Sequence, residues 1–361
     1  MALRIMHIGV GIRGRHWLDY VKAYPDAESV ACVDTDAQAL ERVKNTHGPD
    51  YCPCFIDLET ALHTVTADAA LIASPPFLHA EHAMKALAAG LVVMVEKPFT
   101  RTIEEAWRVI DCAEATGKAV IVAENFRFVP AERTVRKLVQ DDLVGPITSV
   151  TFVDRRRMPS STQGPWMAAM DYPQLQEIAV HHFDSLRSFF GCQPRSIAAR
   201  VWNPPMSDYQ HGACTEALIE MAGGVHVQYL GTLTSHRFAY SLWIEGERGV
   251  IWTNRKLVLW RPRGKRLFWP VRQVKVPKGD AAPYPKEGTT SLLNSLRDAV
   301  LHGQAAETSA QDNIWTIAMV EAGKRSAAEQ RTVTIGDVLA EVPGGKITPE
   351  DLTAHAATRR R

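Results

Sequence analysis

The feature that most constrains the fold of this chain is a glycine-rich segment near its N-terminus. An apolar run, Ile5 to Val10, overlaps the start of Gly9-Val10-Gly11-Ile12-Arg13-Gly14, which matches the pattern G-x-G-x-x-G. Between a strand and a helix, glycines at this spacing permit a tight turn, a close approach of a pyrophosphate to the backbone, and close packing of the helix. The amides at the helix N-terminus then face the phosphate charge. The segment therefore predicts a dinucleotide-binding turn, and an ordinary glycine turn is the alternative.

Asp34 indicates which dinucleotide this turn would prefer. It ends the next apolar run and lies 20 residues after Gly14, the interval at which an acidic residue binds the adenosine ribose hydroxyls. Its carboxylate would repel the 2′-phosphate of NADP, and Asp36 adds a second negative charge. We therefore expect NAD to be preferred over NADP. The alternative is that Asp34 caps the helix that follows it.

The order of apolar and helical segments predicts two domains. Up to about residue 125, runs of Val, Ile, Ala and Leu alternate with helix-length segments, which is typical of a parallel sheet covered on both faces. Right-handed crossovers then produce a doubly wound fold. Farther along, strands separated by turn residues indicate an antiparallel or mixed sheet. We predict an α/β protein with a Rossmann domain over residues 1–125, an α+β domain over residues 126–342 and a loosely held tail over residues 343–361.

Charge and cysteine content argue against several classes of function. Lys and Arg total 41 against 40 Asp and Glu, so no overall charge favours nucleic acid or an acidic membrane surface. No apolar run reaches membrane-spanning length, and the N-terminal run leads into glycines rather than a signal-peptide cleavage site. The six cysteines show no C-x-x-C spacing. We therefore expect no metal site and a reducing, cytoplasmic location.

Three further segments follow the glycine turn in order. They are Ala73-Ser74-Pro75-Pro76 with His79, Glu96-Lys97-Pro98, and Asn125-Phe126-Arg127-Phe128. With the glycine turn, they resemble the Gfo/Idh/MocA oxidoreductase family, over residues 4 to 334. The resemblance implies an open-faced, mostly antiparallel sheet in the second domain and a homodimer or homotetramer. The expected cofactor-binding residues are Gly9, Gly11, Ile12, Arg13, Gly14, Asp34, Ser74, Pro75, His79, Glu96, Lys97 and Asn125.

The resemblance also implies catalytic residues. The family combines the Lys of its E-K-P motif with the pattern D-x-x-x-H and a further Asp three residues after the His. Lys97 matches the motif, and Glu177, His181 and Asp184 match the pattern, with Glu177 in place of the family's Asp. The longer side chain moves the carboxylate by roughly 1.5 Å. On a regular α-helix these three positions, at i, i+4 and i+7, share one face.

Chemistry assigns a role to two of these side chains. Oxidation of a secondary alcohol requires removal of its hydroxyl proton, and a histidine titrates near working pH. We therefore expect His181 to be the general base and Lys97 to stabilise negative charge on the reacting oxygen. Alternatively, Lys97 could pair with Glu96 at the surface, His181 could be a core histidine, and Asp184 could pair with Arg187.

Four more residues are expected to contact substrate together with Asp184. Arg155 and Arg157 share one side of a predicted strand and would bind hydroxyls, a carboxylate or a phosphate. Trp166 and Tyr172 lie in the loop before the catalytic helix and would stack on a sugar. The alternatives are an exposed or interface face for the arginines and packing between subunits for the aromatic residues.

These features predict an NAD(P)-dependent dehydrogenase acting on CH–OH groups of a small molecule, namely a secondary hydroxyl of a sugar, cyclitol or glycoside. One alternative is an NAD-dependent glycosidase that oxidises a ring carbon, eliminates the aglycone and reduces the ring again. Another is a non-catalytic NAD(P)-sensing protein. The presence of both Lys97 and His181 counts against a sensor, which needs no proton-transfer pair.

Overall fold

The computed structural model describes residues 2–162, 165–264, 271–278 and 288–341. The strands are β1 (Leu3–Ile8), β2 (Ala27–Val33), β3 (Cys54–Phe55), β4 (Ala69–Ile72), β5 (Val92–Val95), β6 (Val120–Val122), β7 (Ile147–Arg157), β8 (Pro194–Trp202), β9 (Cys214–Met221), β10 (Val225–Thr232), β11 (Thr234–Gly246), β12 (Gly249–Thr253), β13 (Val258–Pro262), β14 (Arg272–Val274) and β15 (Val333–Thr334). The α-helices are α1 (Ile12–Ala23), α2 (Ala37–His47), α3 (Leu58–Thr64), α4 (His79–Ala88), α5 (Ile103–Thr116), α6 (Pro130–Gln140), α7 (Pro165–Ala168), α8 (Val180–Phe190), α9 (Thr289–His302), α10 (Ala310–Glu329) and α11 (Ile335–Ala340).

The chain divides into two compact units. The first comprises residues 1–125 and 282–317, and the second comprises residues 126–281 and 318–361. The division at residue 125 coincides with the predicted domain boundary. The predicted second domain extends without interruption to residue 342, whereas in the structure residues 282–317 belong to the first unit. The predicted tail, residues 343–361, lies outside the described residues.

The first unit is a doubly wound parallel sheet, as predicted. In the described residues its order is β3-β2-β1-β4-β5-β6, with all pairings parallel. The central strands β4 and β5 are buried along their whole length, which explains their unbroken apolar sequences. The carboxyl ends of parallel strands share one edge, so the loops after β1, β4, β5 and β6 meet there.

Helix α9 belongs to the first unit because it bonds to the region after α1. The hydroxyl of Tyr24 donates to the side chain of Asn294 at 2.6 Å, and Arg297 donates to Asp26 at 3.1 Å. Farther along the segment, the carbonyl of Thr308 accepts the backbone N–H of Val122 at 2.8 Å. These partners are about 190 to 270 residues apart in the chain. Local sequence patterns cannot reveal such contacts.

The second unit is built on an open-faced, mostly antiparallel sheet, as predicted. In the described residues its order is β14-β13-β12-β11-β7-β10-β9-β8-β15, and the pairing of β7 with β10 is the parallel one. Burial alternates along β10, which is typical of a sheet with one covered face. Helix α8, whose eleven residues are all buried, packs on this sheet through His182 and Phe152, with ring centroids 4.7 Å apart. The opposite face exposes Leu218 and Trp243.

The described ranges contain no helix suited to a membrane and no cluster of metal ligands. None of the helices there has the length and apolar character that crossing a membrane requires. No group of three or more His, Cys, Asp or Glu side chains in those ranges is arranged to hold a metal ion. The cysteines are thiols, and the Sγ atoms of Cys32 and Cys52 lie 3.4 Å apart.

Candidate functional site

The glycine turn after β1 requires glycine at two positions for steric reasons. Gly9 has φ +85°, and a Cβ there would lie 2.4 Å from the backbone nitrogen of Ser74. A Cβ on Gly14 would lie 2.0 Å from the carbonyl oxygen of Gly9. By contrast, nothing lies within 4 Å of a Cβ built on Gly11. The turn is therefore packed tightly on its inner side and open at Gly11.

The open side of this turn fits a dinucleotide pyrophosphate. Helix α1 starts at Ile12, and no side chain caps its N-terminus at Gly11. The first-turn amides can therefore donate hydrogen bonds to an anion, which the positive end of the helix dipole also attracts. The side chain of Ile12 is exposed beside them.

Asp34 holds the turn and does not cap the next helix. One carboxylate oxygen accepts the backbone N–H of Val10 at 2.9 Å, and the other accepts that of Asp36 at 2.9 Å. The N-cap of α2 is Asp36, which accepts the N–H of Gln38. Arg42 pairs with Asp36 at 3.0 Å and offsets its charge. The carboxylate of Asp34 stays beside the turn, where the ribose hydroxyls of NAD would need an acceptor.

Glu96 is buried at the end of β5 and ties that strand to α1. Its Oε1 atom accepts from Arg13 at 2.5 Å and from the indole of Trp17 at 2.7 Å. Burial alone would raise the pKa of Glu96, but the charges of Arg13 and Lys97 and the indole hydrogen bond outweigh burial and lower the pKa below its usual range. Glu96 is thus ionised and bound to Arg13, so its role is to join the segment that carries Lys97 to the helix after the glycine turn.

His79 joins two of the loops at the same edge. Its ring is buried, with Nδ1 2.8 Å from the carbonyl oxygen of Pro98 and Nε2 2.9 Å from that of Ser74. Burial lowers the pKa of His79, while the two carbonyl contacts act in the opposite direction. Because both ring nitrogens already face carbonyls, His79 supports the loops around Ser74 and Lys97. A direct contact of its ring nitrogens with the cofactor is not favoured.

The remaining predicted cofactor residues lie in the loops after β4 and β6. Ser74 and Pro75 follow β4, and the Ser74 hydroxyl contacts Nδ1 of His82 at 3.0 Å. Asn125 begins the 3₁₀ turn Asn125–Phe128 after β6 and is buried. The glycine turn, Ser74, Lys97 and Asn125 therefore all lie at the carboxyl edge of one parallel sheet, where dinucleotides bind in folds of this order.

The predicted catalytic helix is not one regular α-helix. Residues Gln174–Ala179 form a π-helix, and α8 begins at Val180. The π-helix, with i→i+5 hydrogen bonds, contains Glu177, whereas His181 lies in the first turn of α8. Glu177 is half-buried, whereas His181 is buried. Wide turns of this kind occur frequently at functional sites.

His181 lies in the first turn of α8 against an aromatic ring. Its imidazole stacks on Phe126, with ring centroids 4.1 Å apart and the planes 19° from parallel. Phe126 belongs to the segment Asn125–Phe128, which the sequence singled out without assigning this contact. The stack restricts the ring plane of His181.

Asp184 is engaged by two arginines. Arg127 donates two hydrogen bonds to its carboxylate, both 2.6 Å, and Arg187 lies 3.6 Å away. All three side chains are buried. The expected contact of Asp184 with substrate is therefore not favoured, and the i, i+3 alternative with Arg187 describes part of what the structure shows. The main partner of Asp184 is Arg127 in the segment Asn125–Phe128, and this pairing was not predicted.

The two faces of β7 differ in exposure. Arg155 and Arg157 share one side, as expected, but that side is exposed. Asp154 and Arg156 occupy the buried side, where Arg156 donates to Asp154 at 2.6 Å. Nε2 of His182 on α8 lies 3.4 Å from the same carboxylate. The polar residues of β7 on the side of α8 are therefore Asp154 and Arg156, which were not among the expected substrate contacts.

His182 is part of a buried polar chain behind His181. Its Nδ1 lies 2.9 Å from the hydroxyl of Tyr229, which accepts from Gln174 at 2.7 Å. Burial, followed by the charges of Arg156 and Arg255, lowers the pKa of His182 well below its usual range. His182 is therefore neutral near pH 7 and its role is to support the packing of α8 on the sheet.

The two predicted aromatic contacts lie before the π-helix. Trp166 is in α7, and its side chain lies outside the described residues. Tyr172 is half-buried and has φ +49°, and its carbonyl accepts the backbone N–H of Gln176 at 3.0 Å. The contact of Tyr172 with a sugar stays a prediction.

Comparison with protein families settles the kind of protein. A family model described as an oxidoreductase family with an NAD-binding Rossmann fold matches residues 3–124, and the GFO/IDH/MocA C-terminal domain model matches residues 133–252. The chain belongs to the Gfo/Idh/MocA oxidoreductase family. As a family member it has an NAD-binding Rossmann domain, which the first unit provides, and it is an oxidoreductase.

Known relatives cover almost the whole chain. An uncharacterized protein of Sinorhizobium fredii, y4oX, is 29% identical over 352 residues, which is 94% of this chain and 97% of the relative. An inositol 2-dehydrogenase of Rhizobium meliloti is 23% identical over 356 residues, or 93% and 100% of the two chains. The crystal structure of an Agrobacterium radiobacter oxidoreductase in complex with NAD+, L-tartaric acid and magnesium has a TM-score of 0.84 at 20% identity, covering 94% of this chain and 100% of that one. This Gfo/Idh/MocA member therefore shares its fold with that enzyme.

Proposed function

We propose that this chain is an NAD-dependent dehydrogenase that oxidises a secondary hydroxyl of a sugar, cyclitol or glycoside. The observation that carries the proposal is the position of Lys97. It follows β5 at the edge of the parallel sheet that also bears the glycine turn, and Glu96 links its segment to α1. A cationic side chain at the cofactor edge is suited to hold the oxygen of an alcohol.

The proposed chemistry divides between two side chains. NAD, when bound, accepts the hydride. The ammonium of Lys97 would donate a hydrogen bond to the substrate oxygen, stabilise its developing negative charge and so lower the pKa of the hydroxyl. The imidazole of His181 would take the hydroxyl proton and return it in the reductive direction. Its stacking on Phe126 supports this role because a general base must be held in one orientation.

The substrate class is proposed from the relatives and from residues near α8. The inositol 2-dehydrogenase relative supports a polyhydroxylated ring. Glu177 would accept a hydrogen bond from a further hydroxyl, and Tyr172 and Trp166 would pack on the ring face. Arg155 and Arg157 are left out of the proposed contacts because they lie on the exposed side of β7.

A homodimer or homotetramer is a further part of the proposal. The exposed face of the second sheet carries Leu218, Trp243 and Trp202, which are 63%, 44% and 42% exposed. Apolar side chains grouped on one face are typical of association surfaces. Sedimentation of the wild type and of Leu218→Glu tests this, since the charge should shift the population to monomers.

The deciding experiment measures NADH formation with a panel of sugars, inositols and glycosides, using NAD and NADP. We expect NADH to accumulate with at least one polyol. Lys97→Ala should lower kcat by roughly 10²-fold or more and change the Kd for NAD little. Lys137→Ala is the matched control, because Lys137 is an exposed lysine paired with Asp141.

Three outcomes would overturn the proposal. Unchanged kcat in Lys97→Ala would remove this residue from the mechanism. Release of an aglycone without net NADH would indicate the glycosidase reaction. Tight NAD binding without turnover on any member of the panel would indicate a sensor.

A further inference from the structure

Phe126 is covered on both faces. The imidazole of His181 stacks on it with centroids 4.1 Å apart, and the guanidinium carbon of Arg255 lies 3.7 Å from the same phenyl centroid. Two planar groups at these distances cannot both lie over one face of a ring. His181, Phe126 and Arg255 therefore form a three-layer stack, with the phenyl ring in the middle.

The arginine layer of this stack, whose guanidinium carbon also lies 4.6 Å from the ring centroid of Tyr240, is held by its backbone. Arg255 lies in the turn between β12 and β13 and has φ +70°, a conformation that a long side chain rarely adopts. Its backbone N–H donates to the hydroxyl of Thr253 at 3.0 Å. The side chain of Asn254 accepts the N–H groups of Lys256 and Leu257 at 3.0 and 2.8 Å. The turn is thus held by its own side chains.

The guanidinium of Arg255 is also fixed at its far end. It donates to the carboxylate of Glu132 at 2.6 and 2.9 Å, and both side chains are buried. Glu132 accepts a further hydrogen bond from Ser185, four residues after His181 on α8, at 2.5 Å. Glu132 therefore connects Arg255 to the helix that carries His181. A guanidinium held by a buried carboxylate has little freedom to leave the aromatic face.

We propose that Arg255 is a positioning residue for His181, which it orients through Phe126. The assignment of His181 as the base rests on the proposed function, whereas the stack itself does not. Cation–π attraction holds Arg255 on one face of Phe126, and this fixes the phenyl ring. The fixed ring then sets the plane of the imidazole on the other face. Proton transfer depends on this plane because the ring nitrogen must aim at the hydroxyl.

Arg255→Lys separates positioning from folding. The ammonium can still pair with Glu132, but it has no flat surface to stack on the phenyl ring. We expect a melting temperature close to wild type, a KM within about twofold, and a kcat lower by roughly tenfold or more. Arg248→Lys is the matched control, because Arg248 is an exposed arginine paired with Asp142, and it should leave kcat unchanged.

Phe126→Leu is the second variant, in case Arg255→Lys does not fold. It retains an apolar side chain and the pair between Arg255 and Glu132 but removes the shared ring. It should lower kcat by a similar factor, and combining it with Arg255→Lys should cost little more, because both act through one ring.

An NMR readout makes the test independent of turnover. In histidine-labelled protein, ring protons of His181 lie over the phenyl face and should resonate upfield, with assignment by the loss of the signal in His181→Gln. Arg255→Lys and Phe126→Leu should both move this signal downfield, and Arg248→Lys should not. An unmoved His181 signal in a folded Arg255→Lys variant would overturn the positioning role. If the wild type has no dehydrogenase activity, the proposed function fails while this NMR result still decides the stack.

Discussion

The indole of Trp17 donates its N–H to the buried carboxylate of Glu96 at 2.7 Å. Trp17 lies on α1, one turn after the glycine-rich segment begins the helix, and Glu96 immediately precedes Lys97. The same carboxylate oxygen accepts from Arg13. The two segments expected to serve cofactor and substrate are therefore joined by one carboxylate.

Glu96→Gln should destabilise the protein and weaken NAD binding. The amide cannot neutralise Arg13, and removing one partner of a buried pair is costly. Because the Arg13 side chain is 30% exposed, we expect about 2 kcal/mol, less than for a fully buried pair. Urea unfolding measures this. The control Glu105→Gln, whose partner Arg101 is more exposed, should lose less than about 1 kcal/mol. Equal losses would contradict the structural role of Glu96.

The difference in stability between wild type and Glu96→Gln should depend on pH. The pKa of Glu96 is lowered in the folded protein, so its stabilising effect is complete above the unfolded-state pKa of about 4.3 and is lost as the pH falls through the lower folded pKa. Unfolding curves of both proteins between pH 7 and pH 3 should therefore converge at the acidic end. A difference that stays constant over this range would exclude an ionised Glu96 as its source.

Gly14→Ala and Gly11→Ala should have different effects. At Gly14 the new Cβ would lie 2.0 Å from a backbone oxygen, so we expect a large loss of thermal stability without any ligand. At Gly11 the Cβ meets nothing within 4 Å. We therefore expect an unchanged melting temperature but weaker NAD binding, because the methyl group occupies the side left open for the pyrophosphate. Normal NAD affinity in Gly11→Ala would argue against pyrophosphate at this turn.

Asp34→Ser should weaken NAD binding more than NADP binding. The substitution removes the ribose acceptor and the charge that repels a 2′-phosphate, so the NAD to NADP affinity ratio should fall by about tenfold. Since Asp34 also accepts the N–H of Val10, the variant Asp34→Asn serves as a control that keeps one acceptor oxygen. Isothermal titration with both cofactors measures the ratio. An equal loss for both cofactors would contradict the ribose assignment.

Cys54 should be alkylated at lower pH than Cys112. The pKa of Cys54 is lowered to about 7, mainly by a hydrogen bond with the thiol of Cys32. Burial opposes this shift, and the charge of Lys44 adds to it. Burial raises the pKa of Cys112. The iodoacetamide rate at Cys54, followed by peptide mass spectrometry, should rise through a midpoint near pH 7. Cys32→Ala should move the midpoint upward, and an unmoved midpoint would exclude the Cys32 hydrogen bond as the cause.

Much of the fold and of the cofactor edge was predictable because the signals are local. The pattern Gly9 to Gly14 follows from the backbone conformation of a single turn, and unbroken apolar runs follow from burial on both faces of a sheet. Lys97 was found through a three-residue motif next to a strand end. In the second unit, alternation along β7 correctly placed Arg155 and Arg157 on one side.

Alternation did not decide which side of β7 is covered, because it defines two faces but not the element that packs on either. The same limit explains three other differences. Residues Gln174–Ala179 form a π-helix where a regular α-helix was expected, and wide turns have no simple sequence pattern. Arg127 reaches Asp184 across 57 residues of chain. Helix α9 bonds to the start of the first unit.

The amino-acid order alone determined the two kinds of sheet, the glycine turn and the identity of the candidate chemical groups, because each depends on residues within one turn or one strand. Only the packed structure decided the surroundings of those groups. In the packed structure Phe126 lies between His181 and Arg255, and Glu96 accepts hydrogen bonds from Arg13 and Trp17. These partners are far apart in the chain, so their contacts exist only after long-range packing has brought their elements together.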